Sequence, residues 1–151
     1  MKPAYSIVIP LKNEAGNIVH LISEIEPVMF KLNLPWELIC IDDGSTDETP
    51  TILQDLSNQK PYLRVITFLK NYGQSSAFDA GFKAAKGDFV ITLDGDGQND
   101  PKDIPKMIEL IENADLVCGI RLKRKDRLSK RWISKLANCT RQWVCEDGVS
   151  D

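Results

Sequence analysis

The chain has 151 residues, of which 42% are hydrophobic and 27% are charged, and its formal net charge at pH 7 is −3. This composition is typical of a single globular domain with a sizeable core. No apolar run approaches the roughly 18 residues of a membrane-spanning helix, and the N-terminus lacks a secretory signal pattern. We therefore expect a soluble, cytoplasmic protein.

The cysteines and the single histidine exclude several kinds of chemistry. Cys40, Cys118, Cys139 and Cys145 form no CxxC pair and have no histidine at ligand spacing, so neither a zinc site nor a redox motif is indicated. We expect reduced thiols, with Cys40 and Cys118 in core strands. His20 lies in an amphipathic helical pattern, which argues against a histidine-activated nucleophile.

Five short apolar runs, rich in β-branched residues, predict the strands of a buried sheet: 5–9, 37–41, 63–69, 89–93 and 116–118. Helical patterns lie between them, at 18–32, after Glu48 and from Ile104 to Ile111, and we expect Pro27 to kink or divide the first helix. Alternating strands and helices favour parallel pairing. The fold class is therefore predicted to be α/β, a mainly parallel twisted sheet flanked by helices.

Polar residues follow each of the first four runs. In an open α/β sheet, ligands bind outside the carboxyl ends of the strands. The segments at those ends are 10–14, 42–45, 70–74 and 94–98. We expect all four to converge on one edge of the sheet.

Asp94 and Asp96 are separated by one residue after the fourth run. Because side chains alternate along a strand, both carboxylates can point the same way and share one hard cation. Mg²⁺ or Mn²⁺ is typically held by one or two carboxylates together with substrate phosphates. Gly95 and Gly97 would let a diphosphate approach the backbone. A polar turn without any ligand is the alternative.

The acidic motifs allow other interpretations. A calcium loop of the EF-hand kind fails, because Asn99 and Pro105 stand where glycine and glutamate are required. Asp42 and Asp43 could accept hydrogen bonds from a nucleobase and a ribose, or could simply form a turn with a helix cap. The motifs of nicotinamide dehydrogenases and of P-loop ATPases are both missing from the sequence.

A basic segment follows the predicted sheet. Residues 121–135 hold eight Lys or Arg and one acid, so the rest of the chain is strongly acidic. Such a segment indicates contact with an anion, whether phosphate, nucleic acid or a lipid surface, unless it is only a solvated charged face. Residues 128–144 predict a basic amphipathic helix.

The motifs SIVIPLKNEAGNI, ICIDDGSTDET, KNYGQSSAFDAGFKAAKGDFVITLDGDGQNDP and GIRLKRKD occur in order from about Ser6. They resemble the successive motifs of family 2 glycosyltransferases, specifically the polyprenyl-phosphate sugar transferases similar to dolichol-phosphate mannosyltransferase. The resemblance implies a GT-A fold, a nucleoside diphosphate sugar as donor, and a dolichyl or undecaprenyl phosphate as acceptor, with inversion. It implies no nucleic acid partner. Residues 1–120 would bind the nucleotide sugar, and residues 121–151 would form the basic acceptor side of the same domain.

The resemblance also implies roles for individual residues. The expected nucleotide-binding residues are Pro10, Glu14, Asp42, Asp43, Asn71, Gly73 and Asp94. The expected metal ligands are Asp94 and Asp96, with Mg²⁺ or Mn²⁺. Arg121, Arg131 and Ser134 would meet the phosphate groups, and the basic segment would meet the cytoplasmic face of a membrane. Asp151 and Asp96 are the expected catalytic residues.

The resemblance breaks off within an acceptor-side motif at Asp151, so we expect a chain truncated at its C-terminus, which binds donor but transfers sugar poorly. Two alternatives to a polyprenyl phosphate transferase stay open. One is a family 2 transferase acting on a sugar hydroxyl in cell-wall or lipopolysaccharide synthesis, which would need Asp151 as a base. The other is an inert nucleotide-binding domain that recruits partners.

Overall fold

The computed structural model describes residues 2–111 and 114–119. The elements in chain order are β1 (Tyr5–Leu11), α1 (Ile18–Leu32), β2 (Trp36–Asp42), α2 (Thr49–Gln59), β3 (Leu63–Thr67), α3 (Gln74–Ala84), β4 (Phe89–Thr92), a 3₁₀ turn (Pro101–Asp103) and α4 (Ile104–Ile111). By its contacts the chain divides into two compact units, Met1–Lys106 and Met107–Asp151. The first unit contains the whole sheet. The predicted boundary at residue 120 remains a prediction.

The four strands form one sheet in the order β3-β2-β1-β4, and every pair is parallel. β1 and β2 are the central strands, and nearly all of their residues are buried. The predicted parallel sheet flanked by helices is therefore confirmed. Parallel order also places the carboxyl ends of all four strands at one edge.

One face of the sheet is covered by α3. Ala77 of this helix is buried together with Val8, Ile39 and Ile41 of the two central strands. Gly81 brings the helix backbone close to the sheet, since an added Cβ would lie 2.3 Å from Cγ1 of Val8. Small residues at the helix face thus set how closely α3 approaches the strands.

The first helix is continuous from Ile18 to Leu32, with Pro27 inside it. Pro27 therefore does not divide the helix, and the kink, the other expectation for this residue, stays a prediction. Ile25 and Met29 lie on either side of the proline and are both fully buried. Burial of such side chains contributes about 1.5–3 kcal/mol each, comparable with the roughly 3 kcal/mol cost of an internal proline.

The predicted strand at Leu116–Cys118 was also wrong. These residues lie outside any strand, Leu116 is 77% exposed, and Cys118 is exposed rather than in the core. A three-residue apolar run is buried only when a neighbouring strand pairs with it, and none does within the part of the chain that the structure describes. Cys40, by contrast, lies fully buried in β2 as predicted, and neither thiol forms a disulfide.

A buried polar network ties the amino ends of the strands together around Glu37, which is 7% exposed. Its carboxylate accepts hydrogen bonds from Ser6 Oγ at 2.7 Å, from Lys86 N at 2.7 Å and from Arg64 Nη1 at 2.9 Å. Burial acts to raise the pKa of Glu37, but the hydrogen bonds from Ser6, Lys86 and Arg64 and the charge of Arg64 lower it below its ordinary value. Glu37 is thus held as a carboxylate.

Candidate functional site

The segments that follow the strands meet at the carboxyl edge of the sheet. Asp43 N donates to the carbonyl oxygen of Leu11 at 2.8 Å, and Phe68 N donates to that of Asp42 at 2.8 Å. Beyond β4, an added Cβ on Gly95 would lie 2.4 Å from Cδ2 of Leu11. The predicted convergence on one edge is therefore confirmed, and Asp42 and Asp94 share that edge.

The loop after β1 is fastened to the loop after β2. Asn13 adopts a left-handed backbone with φ of 57°; its N–H donates to Ser45 Oγ at 2.9 Å, and its Oδ1 accepts from Thr46 N at 2.8 Å. Glu14 N donates to Oγ1 of the buried Thr49 at 2.9 Å. These contacts make the two loops one surface.

Pro10 and Glu14 occupy different depths in this surface. Pro10 is buried within β1, opposite Ile41. Glu14 is half-buried, and its Oε2 accepts a hydrogen bond from Nδ2 of Asn17 at 2.7 Å. A Cβ added to Gly95 would lie 3.2 Å from the carbonyl oxygen of Pro10 and 3.5 Å from Cγ of Glu14. The first loop therefore lies directly beside the Asp94–Asp96 turn.

Asp42 carries an acceptor that its surroundings do not use. The residue is 1% exposed, and its Oδ1 accepts from Ser45 N at 3.0 Å. Its Oδ2 is buried and has no hydrogen-bond partner among residues 2–111 and 114–119. An unsatisfied buried acceptor costs about 1–3 kcal/mol. A ligand N–H or O–H group that reached this atom would recover that free energy.

Asp43 has a different set of contacts. Its two carboxylate oxygens accept hydrogen bonds from Tyr72 N at 2.7 Å and from Gly73 N at 2.9 Å. Asn71 Oδ1 also accepts from Gly73 N, at 2.8 Å. Gly73 has a φ of 91°, which favours glycine. Asp43 therefore fixes the segment that leads into α3; its predicted nucleotide contact, like those of Asn71 and Gly73, stays a prediction.

Gly44 lets the loop after β3 lie against the turn after β2. Its φ is 66°, and an added Cβ would lie 2.4 Å from the carbonyl carbon of Lys70 and 2.6 Å from Asn71 N. Both contacts are with backbone atoms, which cannot move aside as a flexible side chain can. A glycine is therefore required here for conformation and for space.

The two aspartates after β4 are held from several directions. Asp94 is half-buried; its N–H donates to Asn99 Oδ1 at 3.2 Å, and its Oδ1 accepts from Nε2 of Gln74 at 3.0 Å. Asp96 is exposed, and its Oδ1 accepts from Gln98 N at 3.0 Å. The turn thus presents two carboxylates beside the first loop.

The chemistry of this pair fits a hard divalent cation. Mg²⁺ and Mn²⁺ take oxygen ligands, and carboxylates supply them. Within the described residues, no cluster of three or more acidic, histidine or cysteine side chains is placed to hold a metal. Two aspartates alone would hold a cation only with further oxygens from a diphosphate or from water.

Sequence reasoning missed three residues that build the site. Gln74 contacts Asp94, Thr49 holds the first loop, and Asp47 accepts from Ala15 N at 3.3 Å and Thr49 N at 3.0 Å. The Thr49 hydroxyl, with these backbone N–H groups, lowers the pKa of Asp47. The sequence signals were the polar run 45–49, which also fits a helix cap, and the polar segment 70–74, which ends at Gln74.

The predicted acceptor-side residues Arg121, Arg131, Ser134 and Asp151 lie outside the described residues, as does the predicted helix 128–144. None of the described helices has both the length and the hydropathy needed to cross a bilayer.

Solved structures of glycosyltransferases share this architecture. The mannosyltransferase PcManGT from Pyrobaculum calidifontis, in complex with GDP-Man and Mn²⁺, superposes with a TM-score of 0.65 over 80% of this chain and 36% of its own, at 20% identity. S. aureus TarS 1–349, in complex with UDP-GlcNAc, gives a TM-score of 0.60 over 84% of this chain and 37% of its own, at 23% identity. These likenesses establish a fold of the GT-A type.

Curated relatives are closer in sequence. The undecaprenyl-phosphate 4-deoxy-4-formamido-L-arabinose transferase of Pseudomonas savastanoi pv. phaseolicola is 41% identical over 97% of this chain and 44% of its own length. The enzyme of that name from Pectobacterium atrosepticum is 39% identical over 88% of this chain and 41% of its own. The chain thus spans less than half the length of these relatives. Residues 6–147 match the sequence profile of Glycosyl transferase family 2, and the chain belongs to this family.

Proposed function

We propose that the protein transfers a sugar, with inversion, from a nucleoside diphosphate sugar to a polyprenyl phosphate such as undecaprenyl phosphate. The observation that carries the proposal is the unsatisfied, buried Oδ2 of Asp42 at the same sheet edge as the carboxylates of Asp94 and Asp96. The part of this edge at Asp42 suits a nucleoside, and the part at Asp94 and Asp96 suits a diphosphate with its cation. The curated relatives, which are undecaprenyl-phosphate sugar transferases, support the acceptor class.

The nucleoside would bind at the loops after β1, β2 and β3. Oδ2 of Asp42 accepts from a ring N–H of the base, which removes the penalty of its unsatisfied state. Pro10 lies opposite Ile41, the residue before Asp42, and Glu14 offers a half-buried carboxylate to hydroxyl groups. Uracil, guanine and thymine carry a ring N–H that suits a carboxylate acceptor.

The diphosphate would bind beside Asp94 and Asp96, which would hold Mg²⁺ or Mn²⁺. When bound, such a cation offsets the negative charge that develops on the leaving nucleoside diphosphate. The chain's own part is to orient the two carboxylates: Gln74 binds the carboxylate of Asp94, and Asn99 binds the backbone N–H of the same residue. PcManGT was solved with both GDP-Man and Mn²⁺, which supports a divalent cation here.

The acceptor would be recognised by the basic segment 121–135. Arg121 and Arg131 make bidentate contacts with phosphate, Ser134 donates a hydrogen bond, and the lysines favour an anionic membrane surface on the cytoplasmic side. A phosphate monoester has a second pKa near 6, so its oxygen is already a nucleophile at neutral pH. Asp151 therefore orients the acceptor, whereas a sugar hydroxyl would need it as a base.

A thermal-shift panel tests the donor half of the proposal. The 151-residue chain is heated with UDP-, GDP- and dTDP-sugars, each with and without Mn²⁺, and the sugar nucleotide that binds the native state raises the melting temperature. Asp42→Asn should weaken that nucleotide's binding at least tenfold, because its amide places a donor where the base needs an acceptor. Asp55→Asn, an exposed site on α2, is the matched control.

Sugar transfer tests the acceptor half. Membranes or detergent extracts that contain the protein are given the stabilising radiolabelled donor with either a short-chain polyprenyl phosphate or the free polyprenol. Label appearing in the phosphate lipid alone supports the proposal. Equal label in the free polyprenol would contradict a phosphate acceptor.

A further inference from the structure

Gln74, the first residue of α3, contacts Asp94 across twenty residues of sequence. Its Nε2 donates to Asp94 Oδ1 at 3.0 Å, and both side chains belong to the same compact unit. Gln74 is exposed, so the hydrogen bond contributes little to folding, because water competes for both groups and ordering the side chain costs entropy. The hydrogen bond between Gln74 and Asp94 is therefore not explained by a contribution to the stability of the fold.

The backbone that carries Gln74 is unusually well fixed. The buried carboxylate of Asp43 binds the N–H groups of Tyr72 and Gly73, the two residues immediately before it. Asn71 Oδ1 adds a second acceptor for Gly73 N. The amide of Gln74 therefore projects from a clamped segment, which limits the positions that it can reach.

Asp94 is secured independently on its backbone. Its N–H donates to Asn99 Oδ1 at 3.2 Å, which fixes the main chain of the turn but leaves the carboxylate free to rotate. Gln74 removes this remaining freedom by binding one oxygen. A neutral amide does so without cancelling the negative charge, so the carboxylate keeps its affinity for a cation.

We propose that Gln74 is a positioning residue for Asp94, whose amide orients this carboxylate toward a divalent cation bound with the donor diphosphate. The proposal rests on the proposed function, since it assumes that the Asp94–Asp96 pair binds a cation. Partners that orient a ligating carboxylate in this way typically change metal affinity by about 10–100-fold.

Electron paramagnetic resonance of Mn²⁺ provides a test that needs no turnover. MnCl₂ is titrated into the 151-residue chain in the presence of UDP and, in a second series, GDP, and free Mn²⁺ is measured. In Gln74→Met, which keeps the side-chain length but has no donor, Mn²⁺ affinity should fall about tenfold or more. Nucleotide affinity without Mn²⁺ and the urea midpoint should be unchanged.

The matched control is Gln54→Met on α2, an exposed glutamine whose amide contacts Asn58 instead. It should leave Mn²⁺ affinity unchanged, and Gln74→Ala should repeat the loss seen with Gln74→Met. Equal Mn²⁺ affinity in wild type and both Gln74 variants would overturn the positioning role while leaving the cation site in place. If the wild type binds no Mn²⁺ with either nucleotide, the proposed function fails and the inference with it.

Discussion

Replacing Glu37 by glutamine should destabilise the fold without touching the candidate site. Glu37 lies at the amino end of β2, whereas the proposed nucleotide-binding residues lie at the carboxyl edge. Its carboxylate accepts three hydrogen bonds, from Ser6, Lys86 and Arg64. Glutamine keeps one acceptor oxygen but turns an NH₂ group toward one of these donors. At least one of the three donors then loses its hydrogen bond to residue 37.

The expected decrease in the free energy of unfolding follows from these contacts. A hydrogen bond to a charged group contributes about 1.5–3 kcal/mol, and removing one partner of a fully buried ion pair costs about 3–5 kcal/mol. The Arg64 side chain is 40% exposed, so solvent screens its share of the interaction. We therefore expect Glu37→Gln to lower the free energy of unfolding by about 2–3 kcal/mol at pH 7.

Urea denaturation followed by circular dichroism measures this change, and pH supplies a second check. The pKa of Glu37 in the folded state is lowered from its ordinary value of 4.5, so the stabilisation is present above that pH. It is lost as the pH falls through the folded-state pKa. The difference between wild type and Glu37→Gln should therefore be constant near neutrality and shrink below pH 4.5.

The matched control is Glu24→Gln on α1, where Glu24 lies 3.5 Å from His20 at the surface. Because this ion pair is exposed, its removal by Glu24→Gln should change the free energy of unfolding by less than about 0.5 kcal/mol. Two results would show that the buried network does not stabilise the sheet. One is that Glu37→Gln lowers the free energy of unfolding no more than Glu24→Gln does. The other is that the difference in this free energy between wild type and Glu37→Gln is the same at pH 7 and at pH 3.5.

Two further predictions concern the fold around the site. Gly44→Ala should lower the free energy of unfolding by about 2–4 kcal/mol in urea denaturation, because its φ is positive and the new methyl group would meet backbone. Gly16→Ala, where an added Cβ meets nothing within 4 Å, should be nearly neutral; equal effects would contradict this packing. Burial raises the pKa of the Cys40 thiol to about 12, so brief iodoacetamide treatment at pH 8 should label Cys118 and spare Cys40 in peptide mapping. Labelling of Cys40 at the rate of Cys118 would refute its burial.

The sheet was predictable because its strands carry long apolar runs. The predicted ends were less exact: β2 extends to Asp42, a polar residue that the apolar pattern leaves out but that pairs with Leu11 and Thr67. Helix α3 was not predicted at all. Its fully buried positions are the small residues Ala77 and Gly81, and Phe78 packs against the same core only partly buried, so the apolar helical period is weakly marked in the sequence.

The site was predictable only at the level of its acidic residues. Asp42, Asp94 and Asp96 each follow a predicted strand, and this position alone predicted that they lie at one edge of a parallel sheet. The sequence could not show that Asp43 binds the backbone before α3, or that Gln74 reaches Asp94, because both contacts join segments twenty or more residues apart. Such contacts depend on how the strands are ordered, which local patterns do not specify.

The most direct test of the central claim is a calorimetric titration of UDP and of GDP into the wild-type chain and into Asp94→Asn/Asp96→Asn, each with and without Mn²⁺. We expect Mn²⁺ to strengthen the binding of one nucleotide to the wild type at least tenfold, and the double variant to lose this gain while unfolding at nearly the same urea concentration. Asp79→Asn/Asp88→Asn, a pair of exposed aspartates that each bind a lysine, should behave as wild type. Unchanged Mn²⁺-dependent affinity in Asp94→Asn/Asp96→Asn would contradict a cation site at these two aspartates.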